Sequence, residues 1–257
     1  MAHKLRPSGS SRWLKCPASI LLEAEAPVVK TMSNIPAYLG SATHELLELC
    51  LNNEVPPSTF SSQPLEVYDE EHMEFPYVAL VDDNMIRSVK VALDYIEETR
   101  RKVKHKEYAE LAMRHSKVKG LQGTADYVRV YSDGIADLYD LKNGRSAVQV
   151  KNRKGEYNTQ LLSYAAMLTD TFPLVKTINL AIISPNINTK SLIRADTIGL
   201  SQIKEHIGKV AAVELLANSM TPSTLQQHLK EGSHCWFCSA KGICPSVGMK
   251  NVLEAFG

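Results

Sequence analysis

Residues 123–144, GTADYVRVYSDGIADLYDLKNG, constrain the fold most, because two alternating runs of β-branched and aromatic residues flank a Ser-Asp-Gly turn. This pattern predicts a β-hairpin. Side chains on a strand alternate between its two faces, so Asp126, Asp140 and Lys142 share one face. If the hairpin turns about Asp133, Asp126 lies directly opposite Asp140, and the fold must accommodate two facing carboxylates.

A divalent cation between the two carboxylates would remove their repulsion, and the hard ions Mg²⁺ and Mn²⁺ prefer carboxylate oxygen. Lys142 would lie beside the ion, where it could orient or help deprotonate an attacking water, or balance charge on a phosphate. Asp137 has the opposite parity and is expected to face away, while Asp133 belongs to the turn. The hairpin therefore predicts a metal site suited to hydrolysis.

Hydrophobic periodicity predicts one α/β domain with a mainly helical part at 1–105, an α/β core at 106–200, and a helix with a cysteine-containing tail at 201–257. Helices are predicted at 12–26, 40–51, about 77–104, 158–169 and 201–218. Strands are predicted at 107–113, 125–131, 135–142, 146–150, 177–184 and 191–197. We expect a central mixed sheet that opens with an antiparallel meander and is flanked by helices. The Pro-, Ser- and acid-rich residues 53–76 are predicted to form an exposed connection.

The overall charge favours no class of partner. Lys and Arg number 29 against 28 Asp and Glu, so affinity for nucleic acid would require a local basic surface. The basic run at 100–106 could hold phosphates, or could stabilise the end of its helix through the helix dipole. No stretch has the length of a signal peptide or a membrane span, so a soluble, intracellular protein is expected.

Five cysteines without an export signal fit a metal site better than a disulfide framework. Cys235, Cys238 and Cys244 have C-x2-C-x5-C spacing, which leaves them one ligand short of a four-thiolate site. Cys16 is expected to be the fourth ligand. Four thiolates suit both an iron–sulfur cluster and zinc, and the sequence leaves the two open. Cys50 is expected to be a small buried apolar residue.

Four elements in order resemble the PD-(D/E)XK nucleases, specifically their RecB-type branch. Residues 123–126 (GTAD) are similar to the first acidic motif, and residues 140–142 (DLK) to the D-x-K motif. His44 in GSATHELLE is similar to an upstream metal-binding histidine, and Gln160 with Tyr164 forms a Q-x-x-x-Y motif on one helical face. Each element alone has a plainer explanation: a strand end, a helical histidine, or a helix surface and core.

The resemblance implies a restriction-endonuclease-like core and a metal site. The implied ligands of Mg²⁺ or Mn²⁺ are His44, Asp126, Asp140 and the carbonyl of Leu141. Lys142 would act on water, and Gln160 and Tyr164 would place the DNA strand. Glu45, Glu107 and Glu110 are further carboxylates that could join the site, although each is more simply a surface residue.

One cysteine near the start and three near the end are similar to the iron–sulfur members of this branch. Those members include AddB-type helicase–nuclease subunits and CRISPR-associated RecB-like exonucleases. The resemblance implies a [4Fe-4S] cluster that is held by Cys16, Cys235, Cys238 and Cys244 and fastens the two ends of the chain, with Zn²⁺ as the alternative.

The implied function is a metal-dependent DNA exonuclease, most similar to stand-alone phage and prophage nucleases that act in recombination or DNA processing. Its implied partners are DNA ends or single strands and a recombination or single-strand-binding protein, with no membrane, in the cytoplasm of a host cell. The alternatives are a non-catalytic iron–sulfur nucleic-acid-binding protein and a structure-specific endonuclease with the same active site. No G-x-x-x-x-G-K-[ST] loop is present, so the sequence shows no motor of its own.

Overall fold

The computed structural model describes residues 3–27, 35–67, 77–189 and 191–247. The strands in these residues are β1 (Pro64–Val67), β2 (Tyr77–Leu80), β3 (His105–Arg114), β4 (Gln122–Tyr131), β5 (Ile135–Leu141), β6 (Thr177–Ile183) and β7 (Ile193–Gly199). The α-helices are α1 (Ser10–Trp13), α2 (Ser19–Glu25), α3 (Ile35–Asn53), α4 (Asp83–Glu98), α5 (Thr159–Thr171) and α6 (Leu200–Ser219). None of these helices combines the length and apolar character that crossing a membrane requires.

A five-stranded sheet in the order β3-β4-β5-β6-β7 forms the centre of the fold. The first three strands form an antiparallel meander, β6 is parallel to β5, and β7 is antiparallel to β6. A parallel pair needs a crossover connection, and α5 supplies it between β5 and β6. The predicted α/β class, with a mixed sheet that opens with a meander and is flanked by helices, is confirmed.

The two faces of the sheet pack against different helices. Ala136 and Leu138 of β5 lie in the core formed with α5, α6 and the N-terminal segment. Tyr139 and Leu141 alternate to the other face and lie in the core formed with α3 and α4. Because β5 is buried on both faces, its near-continuous apolar character follows from its central position. The polar residues at its carboxyl end are therefore exceptions that need an explanation.

The helical part of the chain differs from the prediction in two places. The helix predicted at 12–26 is broken into α1 and α2 around Pro17, because proline lacks an N–H and disfavours a helical conformation in the residue before it. The helix predicted from about residue 77 begins at Asp83, where the Asp82 carboxylate accepts a 2.8 Å hydrogen bond from the Met85 N–H. Residues 77–80 instead form β2, which pairs with β1. Part of the predicted connection, 68–76, lies outside the described residues.

The strand predicted at 146–150 is wrong. β5 already has β4 and β6 as neighbours, so the chain that leaves it cannot pair beside β5. The Val150 carbonyl instead accepts a 2.8 Å hydrogen bond from the Asn158 N–H, which closes residues 150–158 into a compact loop. The Asn152 side chain stabilises the turn of this loop by accepting from the N–H groups of Lys154 and Glu156.

Candidate active site

The register of the β4–β5 hairpin places two carboxylates opposite each other. Val128 pairs with Leu138 and the ladder ends with Tyr127 and Tyr139, so Asp126 and Asp140 are the next residues along the two strands. This is the register that the sequence predicts for a turn about Asp133. Both carboxylates are buried, and two like charges so placed repel each other unless a cation or a proton lies nearby.

Glu110 extends this arrangement to a third strand. Leu111 pairs with Ala125 in the β3–β4 ladder, so Glu110 occupies the position opposite Asp126. Its φ angle is +45°, a left-handed conformation that residues other than glycine rarely adopt. Such strain persists where the surroundings enforce it, and it is concentrated at functional sites. Glu110, Asp126 and Asp140 therefore form a row across three strands, which we call the acidic row.

His44 faces the acidic row from α3. Its Nδ1 lies 3.2 Å from Oδ1 of Asp126 and 3.7 Å from Oε1 of Glu110. Burial lowers the pKa of His44, but the two carboxylates outweigh burial and raise the pKa well above its usual range. In the described part of the chain, these three residues are the one group of at least three possible metal ligands whose donor atoms all lie within 4.8 Å of one another.

The second oxygen of Asp126 is held by the backbone. Oδ2 accepts a 2.7 Å hydrogen bond from the N–H of Leu141, the residue between the acid and the lysine of the D-x-K motif. Burial favours the neutral form of Asp126, but the charges of His44 and Lys142 together with this hydrogen bond keep its pKa below its usual range. Leu141 therefore contacts the site through its N–H, and the role predicted for its carbonyl stays a prediction.

Asp140 lies between two donors. Lys142 Nζ is 3.1 Å from Oδ1 and 3.0 Å from Oδ2, and the Gln160 amide donates a 2.9 Å hydrogen bond to Oδ1. Burial raises the pKa of Asp140 to about 6, although the nearby Lys142 opposes the shift. Oδ2 is buried and accepts no well-directed hydrogen bond, but the Lys142 ammonium is its ion-pair partner. A buried carboxylate that depends on one ammonium for its charge balance suits a divalent ion as a further partner.

Tyr164, one turn after Gln160 on α5, is buried and its ring lies against β4. A Cβ atom added to Gly123 would lie 3.2 Å from the Tyr164 ring and 2.8 Å from Cδ of Pro7. The glycine therefore lets both the helix and the N-terminal segment approach the strand closely. Burial raises the pKa of Tyr164, and the Asp126 and Asp140 carboxylates raise it further.

Asn143 is a site residue that the sequence did not indicate. Its Nδ2 donates a 3.0 Å hydrogen bond to Thr43 Oγ1, and its Oδ1 accepts hydrogen bonds of 3.2 Å from Ser88 Oγ and 2.6 Å from Asn186 Nδ2. Thr43 directly precedes His44. Asn143 thus links α3 to the carboxyl end of β5 and positions His44 relative to the acidic row. No periodicity or motif distinguishes such an asparagine from an ordinary turn residue.

Three other predicted residues lie away from the site. Asp137 faces the opposite side of the sheet, as parity predicts, where it is buried and lies 3.2 Å from Nη1 of Arg129. Glu107 also pairs with Arg129, at 3.0 Å, so it does not join the acidic row. Arg101 of the basic run binds the turn residue Asp133 at 2.6 Å, at the far end of the hairpin from Asp126. Arg101 therefore contacts the protein itself, and so does Arg100, which lies 3.1 Å from Glu107.

The four cysteines assigned to a second centre come together. Cys16, Cys235, Cys238 and Cys244 line one cavity between α2 and the C-terminal tail. The Lys230 nitrogen lies 3.5 Å from Cys16 Sγ and donates its N–H to the sulfur. A hydrogen-bond donor in this position would stabilise a thiolate. Four thiolates around one cavity suit both a [4Fe-4S] cluster and tetrahedral zinc.

Cys50 behaves differently. It is buried on α3 among the residues of the α3–α4 core, and burial raises the pKa of its thiol to about 11. Its environment is that of a small apolar residue, as predicted.

Two proteins with solved structures are similar to the chain at low sequence identity. The crystal structure of SSO0001 is 12% identical over 95% of this chain and 87% of that chain, with a TM-score of 0.37. The alkaline exonuclease LHK-Exo from Laribacter hongkongensis is 12% identical over 85% of this chain and 93% of that chain, with a TM-score of 0.33. Its complex with dAMP is 13% identical over the same shares, also with a TM-score of 0.33. A sequence family described as "Protein of unknown function (DUF2800)" matches residues 3–255, and the chain belongs to that family.

Proposed function

We propose that the protein is a Mg²⁺- or Mn²⁺-dependent deoxyribonuclease of the PD-(D/E)XK type, in its RecB-like branch, that degrades DNA from its ends. One observation carries this proposal: the acidic row meets His44, Lys142 and Gln160 at a single point. Within the row, the buried Oδ2 of Asp140 has the Lys142 ammonium as its ion-pair partner and no well-directed hydrogen bond. Three carboxylates converge there with one ammonium and one imidazole, and a divalent ion would offset the remaining negative charge.

The residues fit a divalent ion. His44, Glu110, Asp126 and Asp140 would hold it, with the Leu141 carbonyl as the further ligand implied by the resemblance. Carboxylate oxygens suit both Mg²⁺ and Mn²⁺, and the imidazole favours Mn²⁺. A bound divalent ion supplies positive charge that polarises a phosphodiester and makes a water more acidic.

The surrounding side chains have distinct roles. Lys142 places its ammonium beside Asp140, where it stabilises negative charge on the phosphate and orients the attacking water. Gln160 fixes the carboxylate plane of Asp140 through its 2.9 Å hydrogen bond. Tyr164 supports the floor of the site against Gly123 and places the strand. Hydrolysis then needs no covalent intermediate with the protein, since water attacks the phosphorus directly.

The second centre is proposed to be a [4Fe-4S] cluster held by Cys16, Cys235, Cys238 and Cys244. Its support is the cavity that the four cysteines share, together with the resemblance in the placement of these cysteines along the chain. Because Cys16 is far in sequence from the other three ligands, the cluster would link the N-terminal segment to the C-terminal tail. This link would stabilise the fold by restricting the unfolded chain. A role in phage recombination or DNA processing stays a prediction.

The test uses linear and covalently closed DNA, end-labelled on either strand, incubated with purified protein and either Mg²⁺ or Mn²⁺. Loss of linear DNA alone, blocked by a chelator, is the expected result, and label release gives the polarity. Lys142→Met should abolish cleavage, while Lys204→Met, an exposed lysine on α6, should not. Nicking of closed DNA would instead identify an endonuclease. DNA binding without any cleavage would overturn the enzymatic proposal.

A further inference from the structure

A groove leads away from the candidate active site on the α5 side of the sheet. One wall is the N-terminal segment, residues 8–15, and the other is the loop at 148–158. One face of α6 lines it as well, and at one end Lys142 and Gln160 form part of its surface. The groove thus shares Lys142 and Gln160 with the candidate active site, and both of these side chains contact Asp140.

The groove is basic, although the chain as a whole is nearly neutral. Besides Lys142, its lining contains Lys15, Lys151 and Lys209, against Glu156 and Glu205. This local excess of ammonium groups is the kind of surface that a near-neutral protein needs to hold a polyanion.

The three lysines differ in their surroundings. The ammonium of Lys15, at the end of α1, makes no ion pair in the residues that the structure describes. Lys209 lies 2.7 Å from Glu205, and Lys151 lies 3.4 Å from Asp196. Exposed ion pairs of this kind are weak, so a phosphate can replace the carboxylate at little cost.

The groove also contains an aromatic surface. Tyr157 lies in its lining, and the ammonium of Lys151 is 4.5 Å from the centre of the Tyr157 ring. Lysines that follow a backbone, together with an aromatic ring on which a base can stack, are the elements that bind single-stranded nucleic acid. Bases in a duplex are already stacked on one another and offer no face to such a ring.

We propose that this groove binds a single strand of nucleic acid, with Lys15, Lys151 and Lys209 holding its phosphates, and delivers the strand to Asp140. The proposal rests on the proposed function for the identity of the site at the end of the groove. It further assigns a role to the N-terminal segment, which is held in place by a 2.7 Å hydrogen bond between Ser10 Oγ and Thr159 Oγ1. These lysines are positioning residues, since none of them touches the acidic row.

The test measures the Kd of a fluorescent single-stranded oligonucleotide in a chelator, so that no cleavage occurs. Lys15→Ala and Lys209→Ala should each weaken binding about threefold to tenfold and lower the dependence of log Kd on log salt by about one. Lys204→Ala is the matched control, because Lys204 is an exposed lysine on the same helix as Lys209 and does not line the groove. Glu205→Gln should have the opposite effect and tighten binding.

The outcomes separate this inference from the proposed function. If the protein never cleaves DNA but the groove variants weaken binding as expected, the groove stands and the nuclease proposal fails. If the protein cleaves DNA while Lys15→Ala and Lys209→Ala bind like Lys204→Ala, the groove is the wrong surface. Equal or tighter binding of a duplex of the same sequence would overturn the assignment to a single strand.

Discussion

The side chain of Gln160 donates a 2.9 Å hydrogen bond to Oδ1 of Asp140, which joins the first turn of α5 to the carboxyl end of β5. A hydrogen bond to a charged group contributes about 1.5 to 3 kcal/mol. Gln160→Ala should therefore lower kcat by about tenfold to a hundredfold, and Gln160→Glu should lower it further because it places a like charge beside Asp140. Steady-state cleavage of linear DNA measures both. Wild-type rates in Gln160→Glu would show that this contact has no part in catalysis.

Asp140 and Asp137 should respond to substitution in opposite ways. Asp140→Asn is expected to abolish cleavage while the protein stays folded, because it changes the charge and keeps the shape. Asp137→Ala is expected to destabilise the protein by about 1 to 3 kcal/mol, because Arg129 and Tyr131 lose a buried acceptor while Glu107 still pairs with Arg129. Strand parity predicts that Asp137→Ala does not abolish cleavage, and the burial of Asp137 against Arg129 adds an expected loss of stability. Urea unfolding and cleavage assays on both variants decide the matter.

Glu110 should be a metal ligand. Glu110→Gln is expected to weaken Mn²⁺ binding by tenfold or more, as measured by calorimetric titration of the metal into the protein, without reference to activity. Glu45→Gln is the control, because Glu45 is close enough for the charge of Glu110 to raise its pKa but is not one of the three clustered ligands. Equal Mn²⁺ affinity in Glu110→Gln and wild type would remove Glu110 from the site.

His206 should make the protein less stable in acid. Burial, aided by Lys209, lowers the pKa of His206 to about 4, while Glu205 opposes the shift. In the unfolded chain the pKa is about 6.5. The unfolded state alone then binds a proton between these values, so the free energy of unfolding falls as the pH drops from about 6.5 towards 4. The full loss is about 3 kcal/mol.

His206→Gln should flatten this pH dependence, because glutamine can still bond to Ser163 Oγ, which lies 2.9 Å from Nε2 of the histidine. Chemical denaturation of both proteins at several pH values gives the comparison. An equally steep loss of stability in the variant would assign the acid sensitivity to other groups, such as the carboxylates of the acidic row.

The cysteine centre should contain iron. Anaerobically purified protein is expected to be brown and to contain about four irons per chain, the composition of a cubane cluster. Replacing any one of Cys16, Cys235, Cys238 and Cys244 with serine should remove the colour and lower the thermal stability. Cys50→Ser should leave the iron content unchanged. A colourless protein that contains one zinc would still support a structural link through these cysteines, but it would contradict the iron–sulfur cluster.

Strand alternation and turn composition predicted the parts of the site that lie within one hairpin. The facing of Asp126 and Asp140 depends only on strand parity and on the turn, both of which the sequence shows. Glu110 was undervalued because its place opposite Asp126 depends on the register between β3 and β4, which are joined by a longer connection without a diagnostic turn. Asn143 was missed because its partners come from three distant segments.

The errors in the predicted secondary structure have the same origin. Residues 146–150 have strand-like composition, but both sides of the preceding strand, β5, are already occupied by β4 and β6. Residues 77–80 suit a helix locally, yet they pair with β1. In each case tertiary contacts decide, and propensity is only a weak guide to them.

The cavity that Cys16 shares with the C-terminal cysteines has a consequence for synthesis. A nascent chain can build the acidic row once β6 has left the ribosome, because every strand of the row precedes it. The wall that carries Lys15 is attached to α5 through Ser10 and Thr159, but Cys16 gains its proposed cluster only after Cys244 has been translated. If the cysteines bind their cluster as proposed, the groove is complete only after that point. A ribosome-bound fragment that ends before Cys244 would then carry the hydrolytic residues beside a wall that lacks this second attachment.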